Sequence, residues 1–230
     1  MKSSGTMRVN KFVAHATGMS RREADDAVMR GQVTIDGAVA AMGSQVHPDS
    51  IVLLDDKPIT EQTAYTYLLF HKPVGYVCSR RQQGSSPTIY ELLPKDYQAL
   101  KAVGRLDRDS SGLLLLTNDG DFAHRMTHPS FKKQKTYEVS LDHDLEPLHH
   151  QMITDHGIQL EDGVSKLILE RESDADRINW RVMMHEGRNR QIRRTFLALG
   201  YTVKKLHRIQ FGPYALSTLS SGQSQQTAIR

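Results

Sequence analysis

Four consecutive leucines, Leu113 to Leu116, lie between Ser110-Ser111-Gly112 and, after Thr117, Asn118-Asp119-Gly120. So short an apolar run between turn residues suits a strand buried on both faces. Directly before it stands Gly104-Arg105-Leu106-Asp107-Arg108-Asp109, which puts the carboxylate of Asp107 between two arginines at the mouth of a core strand. An acid there costs free energy unless it is paired or hydrogen-bonded. Arginine beside it favours the ionised form. An ionised carboxylate held in place can serve as a nucleophile or stabilise positive charge. A structural ion pair in a loop has the same local pattern, and an isolated Arg-x-Asp leaves both open.

The rest of the chain predicts an α+β protein. Val9, Phe12 and Val13 have helical spacing that Gly18 interrupts, and Ser20-Arg21-Arg22-Glu23 is a capping box opening a helix to about Arg30, with Gly31 as its stop. Val33-Thr34-Ile35 alternates as a strand into the hairpin turn Asp36-Gly37. Ile51 to Leu54 is a further strand, followed by a polar turn Asp55-Asp56-Lys57-Pro58. Residues 7–60 therefore read as a small αα–β-hairpin domain, 61–65 as a linker and 66–219 as a larger domain. In the latter, Tyr65 to Phe70, Leu113 to Leu116, Thr136 to Val139 and Trp180 to Met184 read as strands, and Arg190 to Leu199 as a helix ended by Gly200. Strands and helices mix without regular alternation, which predicts a mainly antiparallel mixed sheet flanked by helices. The stretch Arg80 to Ser86 reads as a mobile loop, and the polar tail 220–230 as disordered.

Composition narrows the function classes. The one cysteine, Cys78, excludes an intramolecular disulfide and suggests no cysteine metal site. The apolar runs fall short of the ~18 residues of a membrane span, and Met1 to Thr6 lacks the apolar segment of a secretory signal. A cytoplasmic protein is expected. The net charge of +4 is modest, but between Gly187 and Phe211 lie Arg188, Arg190, Arg193, Arg194, Lys204, Lys205 and Arg208 without an Asp or Glu. Such a run is the footprint of a phosphate-rich partner, or else a solvated basic helix. His143, His149, His150 and His156 lack any recognised metal-ligand spacing and read as a solvated surface segment, while Trp180 reads as core.

Longer strings carry a family resemblance. The stretch "RVNKFVAHATGMSRREADDAVMRGQVTIDGAVA" resembles the S4 RNA-binding domain. The string "GRLDRDSSGLLLLTNDG" looks like the signature of pseudouridine synthases, with "HKPVGYVCS" before it and "KTYEV" and "EGRNRQIRRTF" after it in the expected order. Together they resemble the RsuA-type ribosomal RNA enzymes over about Arg8 to Phe211. The resemblance implies that Asp107 attacks the target uridine, that Tyr137 stacks on the extruded uracil, and that Arg193 pairs with Asp107. It also implies that Ile192 lines the same pocket and that Arg105 holds the base out of its stack. Arg188, Arg190 and Arg194 are expected to contact phosphates, as are Arg8, Lys11, Arg21 and Arg22 in the S4-like domain. An isomerisation needs no cofactor and no metal. The implied partner of this expected monomer is ribosomal RNA or a subunit assembly intermediate. The large subunit is slightly favoured by "GRNRQIRRTF" and "GYTVKKL". Two other readings compete: a non-catalytic S4-domain assembly factor, which leaves Asp107, Tyr137 and Arg193 unexplained, and a glycoside hydrolase. The hydrolase would need a second facing carboxylate, for which Asp109 is the only near candidate. Many relatives end with a glycine, a tryptophan–arginine pair and a terminal helix, and this chain has no tryptophan there.

Overall fold

Helices and strands follow one another irregularly in the computed structural model, which describes residues 5–61, 64–80, 84–171 and 173–230. The chain forms two units, Met1–Thr66 with Asn118–Gly120, and Tyr67–Thr117 with Asp121–Arg230. The described part of the first unit contains β1 (Met7–Arg8), α1 (Val9–Thr17), α2 (Arg21–Met29), β2 (Val33–Ile35), β3 (Ala38–Val39), β4 (Gln45–Val46), β5 (Val52–Leu54) and β6 (Lys57–Ile59). Gly18 ends α1 in the left-handed region at φ +79°, where its amide bonds the Ala14 carbonyl. Ser20 and Glu23 exchange side-chain and backbone hydrogen bonds as a capping box at the start of α2. Val9, Val13, Ala24, Val28, Val33 and Val52 close a core of their own.

The order in the four-stranded sheet is β3-β2-β5-β6. Lys57 and Pro58, expected in a turn, are strand residues: Pro58 sits opposite Leu53. The turn is only Asp55-Asp56, with both residues at positive φ (48° and 61°), the two-residue geometry that matches strand twist. Proline is tolerated there because β6 is an edge strand. Within the expected linker, residues 62–63 lie outside the described residues.

The second unit is built on one large sheet. Its strands are β7 (Tyr67–Lys72), β8 (Lys101–Val103), β9 (Ser111–Thr117), β10 (Lys135–Leu141), β13 (Ile168–Glu170), β14 (Asn179–Met184), β15 (Val203–Phe211), β16 (Tyr214–Ala215) and β17 (Ser224–Gln226). A separate hairpin joins β11 (Ile158–Leu160) to β12 (Gly163–Ser165), and the described α-helices after β9 are α3 (Gly120–Thr127), α4 (Pro147–Gln151) and α5 (Gln191–Leu197). The sheet order is β13-β14-β10-β15-β9-β7-β17, with β16 on β15 and β8 on β9. All pairings are antiparallel except β15 with β9, where His207 faces Ser111 and Arg208 faces Gly112. Leu113 to Leu116 form the buried middle of β9, as their run implied. Apolar clusters fill the unit, one around Val139, Val182 and Phe196, another around Leu68, Phe70, Leu114 and Leu116.

The tail expected to be disordered is an edge strand instead. Ser224, Gln225 and Gln226 pair with Phe70, Leu69 and Leu68, and the amides of Gly222 and Thr227 bond the carbonyls of His71 and Tyr67. The reason is the open edge of β7. A strand without a neighbour leaves a row of unpaired amides and carbonyls, and a polar segment satisfies that row as well as an apolar one. Of the expected mobile loop, residues 81–83 lie outside the described residues. Arg80 is anchored, donating to the carbonyls of Ala99 and Leu100 at 2.7 and 2.8 Å. The expected solvated histidines in part serve packing. His143 stacks on Tyr201, His149 Nδ1 lies 2.8 Å from the Tyr201 hydroxyl, and His150 stacks on the buried Trp180.

Candidate active site

The segment Gly104–Ser110 leads into β9 and is held in place by atoms around it. Lys72 closes β7 with its side chain fully buried. Its ammonium donates to the carbonyls of Pro73, Asp107 and Ser110 at 3.0, 3.0 and 2.7 Å. Three carbonyls take the place of water around the charge, yet burial still pulls this lysine down to about 8. The Gly75 amide bonds the Arg108 carbonyl at 2.7 Å. The Cys78 sulfur accepts from the Leu106 amide at 3.5 Å and donates to its carbonyl at 3.4 Å. With its backbone fixed this way, Asp107 keeps its carboxylate one-third exposed on the wall of a pocket.

Two arginines of the basic run meet this segment. Arg190, whose own backbone is left-handed at φ +46°, just precedes α5. Its guanidinium forks onto both oxygens of Asp109 at 2.9 Å, and one nitrogen lies 3.5 Å from Asp107 Oδ2. Arg193, on α5, stands behind. It donates to the carbonyls of Asp109 and Val203 at 2.8 and 2.7 Å and places Nε 3.3 Å from Asp109 Oδ2. The Arg190 hydrogen bond, aided by the charge of Arg193, holds Asp109 below the usual carboxylate range. Of the two, Arg190 and not Arg193 lies within ion-pair distance of Asp107 in this structure. Arg190 reaches Asp107, and Arg193 braces Asp109, because the first turn of α5 aims position 193 at the backbone of the loop.

The pocket, about 570 Å³ in volume, lies within the second unit and is lined by Arg105, Leu106, Asp107, Lys135, Tyr137, Arg190, Ile192, Leu206, Arg208 and Phe211 among others. Tyr137 is buried on β10, opposite Val182 on one side and Arg208 on the other. Arg105 is exposed at the same pocket. The structure therefore brings together Asp107, Tyr137, Arg105, Ile192, Arg188 and Arg190, and keeps Arg193 and Arg194 out of the lining. Arg188 and Arg194, expected on phosphates, both grip Asp162, at 2.9 and 2.6 Å. Arg188 also donates to the carbonyls of Gly163 and Val164. In the first unit, Arg8, Arg21 and Arg22 are exposed and Lys11 is half-buried.

Sequence reasoning overlooked three buried cations. Besides Lys72, Lys135 and Arg208 are buried and line the pocket. Lys135 donates to the Glu186 carbonyl at 3.2 Å and lies over the Phe211 ring, and burial, assisted by Arg208, lowers it to about 8. Arg208 donates from Nε to the Leu113 carbonyl at 2.8 Å, and one terminal nitrogen has no hydrogen-bond partner. A period-two signal was there to find them. Lys72 shares a face with Leu68 and Phe70, Lys135 with Tyr137 and Val139, and Arg208 with Leu206. Such a pocket, with a carboxylate on a clamped backbone at Asp107, a second at Glu186 engaged by Arg188 and Gln191, an aromatic wall, aliphatic sides and buried positive charge, can admit a planar polar ring and present an oxygen nucleophile at its edge.

Residues 66–198 match the family model described as RNA pseudouridylate synthase. An uncharacterised RNA pseudouridine synthase of Aquifex aeolicus is 36% identical over 94% of this chain and 88% of its own length. The ribosomal small subunit pseudouridine synthase A of Pasteurella multocida is 36% identical over 91% and 90%. The ribosomal large subunit pseudouridine synthase B of Bacillus subtilis is 32% identical over 95% and 91%. A crystal structure of a pseudouridylate synthase superposes with a TM-score of 0.69 at 30% identity, covering 96% of both chains. With a family model spanning more than half its length and such relatives across nearly all of it, the chain belongs to the RNA pseudouridylate synthases, in the RsuA-type branch, and is an RNA-modifying isomerase.

Proposed function

We propose that this enzyme converts a specific uridine of ribosomal RNA to pseudouridine with Asp107 as the nucleophile. The observation that carries the reading is an aspartate whose backbone is clamped by the buried Lys72 while its carboxylate stays open to the pocket beside Arg190. An Asp107 oxygen attacks the ribose anomeric carbon, and the bond to N1 breaks with its electron pair leaving on the uracil. The ring turns within the pocket, carbon-5 bonds the anomeric carbon, and the carboxylate is released. Carbon-5 then loses its proton and N1 gains one, so nothing is consumed. Tyr137 stacks on the base, its hydroxyl assisting the carbon-5 proton transfer, Ile192 forms the apolar side, and exposed Arg105 holds the uridine out of its helix. Lys135 and Arg208 add positive charge to the pocket. Arg190 pairs with the Asp107 carboxylate, and Arg193 positions the loop through Asp109.

Residues 7–60 form the proposed S4-like RNA-binding domain, with Arg8, Lys11, Arg21 and Arg22 on phosphates. Residues 61–65 are the proposed linker, and the catalytic domain runs from 66 through the paired tail. The substrate is ribosomal RNA, free or in an assembly intermediate, and the enzyme works in the cytoplasm as a monomer. The large subunit RNA is the one the sequence motifs favour. The matched relatives named above are divided between the subunits, so the assay offers both.

The test is tritium release from ribosomal RNA carrying tritium at uridine carbon-5, with wild type and Asp107→Asn in parallel. Wild type is expected to release tritium. Asp107→Asn, isosteric but without a charged oxygen, is expected to bind RNA equally and release none. Wild-type turnover by the variant removes Asp107 from the mechanism. No release by wild type from naked RNA or partly assembled subunits of either kind leaves the assembly factor as the better reading.

A further inference from the structure

One acid-free stretch reaches beyond the pocket that Lys135 and Tyr137 help to line. Between Asp121 and Glu138 the chain carries Arg125, Lys132, Lys133 and Lys135, two histidines and Phe131, with no carboxylate. The buried face of α3 is Phe122 and Met126, packed in the core with Tyr214 and Phe211. His124 leaves that helix on another side, and a 3₁₀ turn, Pro129–Phe131, folds back against it. Three exposed rings meet there. His124 and His128 lie 4.8 Å apart between centroids, and Phe131 stands edge-on to His124 at 5.8 Å and to His128 at 6.4 Å. Phe131 is 44% exposed, so the rings cover each other only in part and contribute nothing to the apolar clusters.

The turn is held by more than these contacts. His128 Nδ1 accepts from the Ser130 amide at 3.3 Å. Lys132 adopts a left-handed backbone at φ +44°, and its carbonyl lies 3.0 Å from His185 Nδ1. Thr127, Pro129 and His185 all line the pocket that contains Asp107. The rings therefore begin where the pocket wall ends, with Arg125 and Lys132 exposed around them.

We infer that the His124–His128–Phe131 cluster is a stacking platform for an unpaired base of the RNA strand that delivers the target uridine. Flat side chains receive an unstacked base whatever its identity, and cations beside them meet the flanking phosphates. A uridine turned out into the pocket leaves its neighbour without a stacking partner on one side, and the platform supplies one. The inference deepens the proposed function and rests on it for the identity of the strand.

The test uses the full chain and a single-stranded RNA octamer carrying one 5-iodouridine, a base that photocrosslinks to the aromatic side chain on which it stacks. Wild type is expected to crosslink within the peptide spanning His124 to Phe131. Phe131→Ala is expected to lose that crosslink and bind the octamer about fivefold more weakly, and Phe131→Tyr to restore both. With ribosomal RNA as substrate, Phe131→Ala raises KM and leaves kcat unchanged. Unchanged octamer affinity in Phe131→Ala, or crosslinks only outside this segment, overturns the platform. Tritium release separates the two failures. An active wild type with an indifferent Phe131→Ala refutes the platform alone. A functioning platform on a chain that releases no tritium refutes the proposed reaction alone.

Discussion

At the scale of the residue, the side chain that does most to hold the Asp107 backbone, Lys72, lies outside the pocket lining. Lys72 donates to three carbonyls, one directly after β7 and two in the Gly104–Ser110 segment. Lys72→Met keeps the apolar stem and leaves those carbonyls without their donor, at a cost on the order of 3 kcal/mol. For a chain of this length that lowers Tm by about 6–12 °C, read by thermal unfolding, and activity should fall as the loop loosens. The same burial sets a pH dependence. Lys72 and Lys135 lie near 8 in the fold, against 10.5 in an exposed chain. Below pH 8 both states hold the protons. Between pH 8 and about 10 the unfolded chain still holds them and the folded one has released them, so rising pH favours the fold. The stability of wild type minus that of a Lys72→Met/Lys135→Met double variant should therefore grow from pH 8 to pH 10 in urea titrations. A difference that shrinks over that window contradicts burial as the cause.

At the scale of the element, the backbones of β9 and β15 approach closely at Gly112. Gly112 has φ +108°, and a Cβ built there would sit inside the van der Waals envelope of the Arg208 backbone. Because the atoms it would meet are the backbone of Arg208, which faces Gly112 across the β9–β15 pairing, no side chain can swing away to relieve the clash. Gly112→Ala should part the two strands that position Asp107 and Arg208. We expect the variant to be insoluble or to melt at least 10 °C lower; a soluble protein with wild-type Tm overturns the close approach. Much of this element plan was legible beforehand, including α1 with its glycine stop, the capping box of α2, the Asp36-Gly37 hairpin and the leucine strand, since each depends on neighbours in the chain. What could not be read depends on partners far away in sequence. Nothing in Ser224-Gln225-Gln226 announces a strand, because its pairing is supplied by the open edge of β7. Nor does any spacing tell Arg190 from Arg193, three residues along one helical turn, as the one that reaches Asp107. The buried lysines were written in the alternation of their strands, and went unseen because a charged residue on an apolar face reads as an interruption.

At the scale of the whole molecule, the question is where the attraction for RNA resides. The run from Gly187 to Phe211 looked like the electrostatic footprint, but much of its charge is already engaged. Arg188 and Arg194 grip Asp162, Arg190 holds Asp109, Lys205 pairs with Glu138 at 2.9 Å, and Arg208 is buried. An arginine already neutralised by a carboxylate releases few counterions when a phosphate approaches. The salt dependence of binding should then depend on cations elsewhere, among them Arg21 and Arg22, exposed at the start of α2. Replacing both by alanine should weaken binding to ribosomal RNA and reduce the slope of log Kd against log salt by about 1 to 2, with kcat at saturating RNA unchanged. Arg194→Ala should leave the slope nearly as it was and show its effect in Tm, because it removes one of the two arginines that hold the Asp162 carboxylate. Filter binding across a salt series compares the two variants directly. If Arg194→Ala flattens the slope and the Arg21/Arg22 pair does not, the phosphate footprint belongs to the catalytic domain. The N-terminal helices would then lose the RNA-binding role proposed for them.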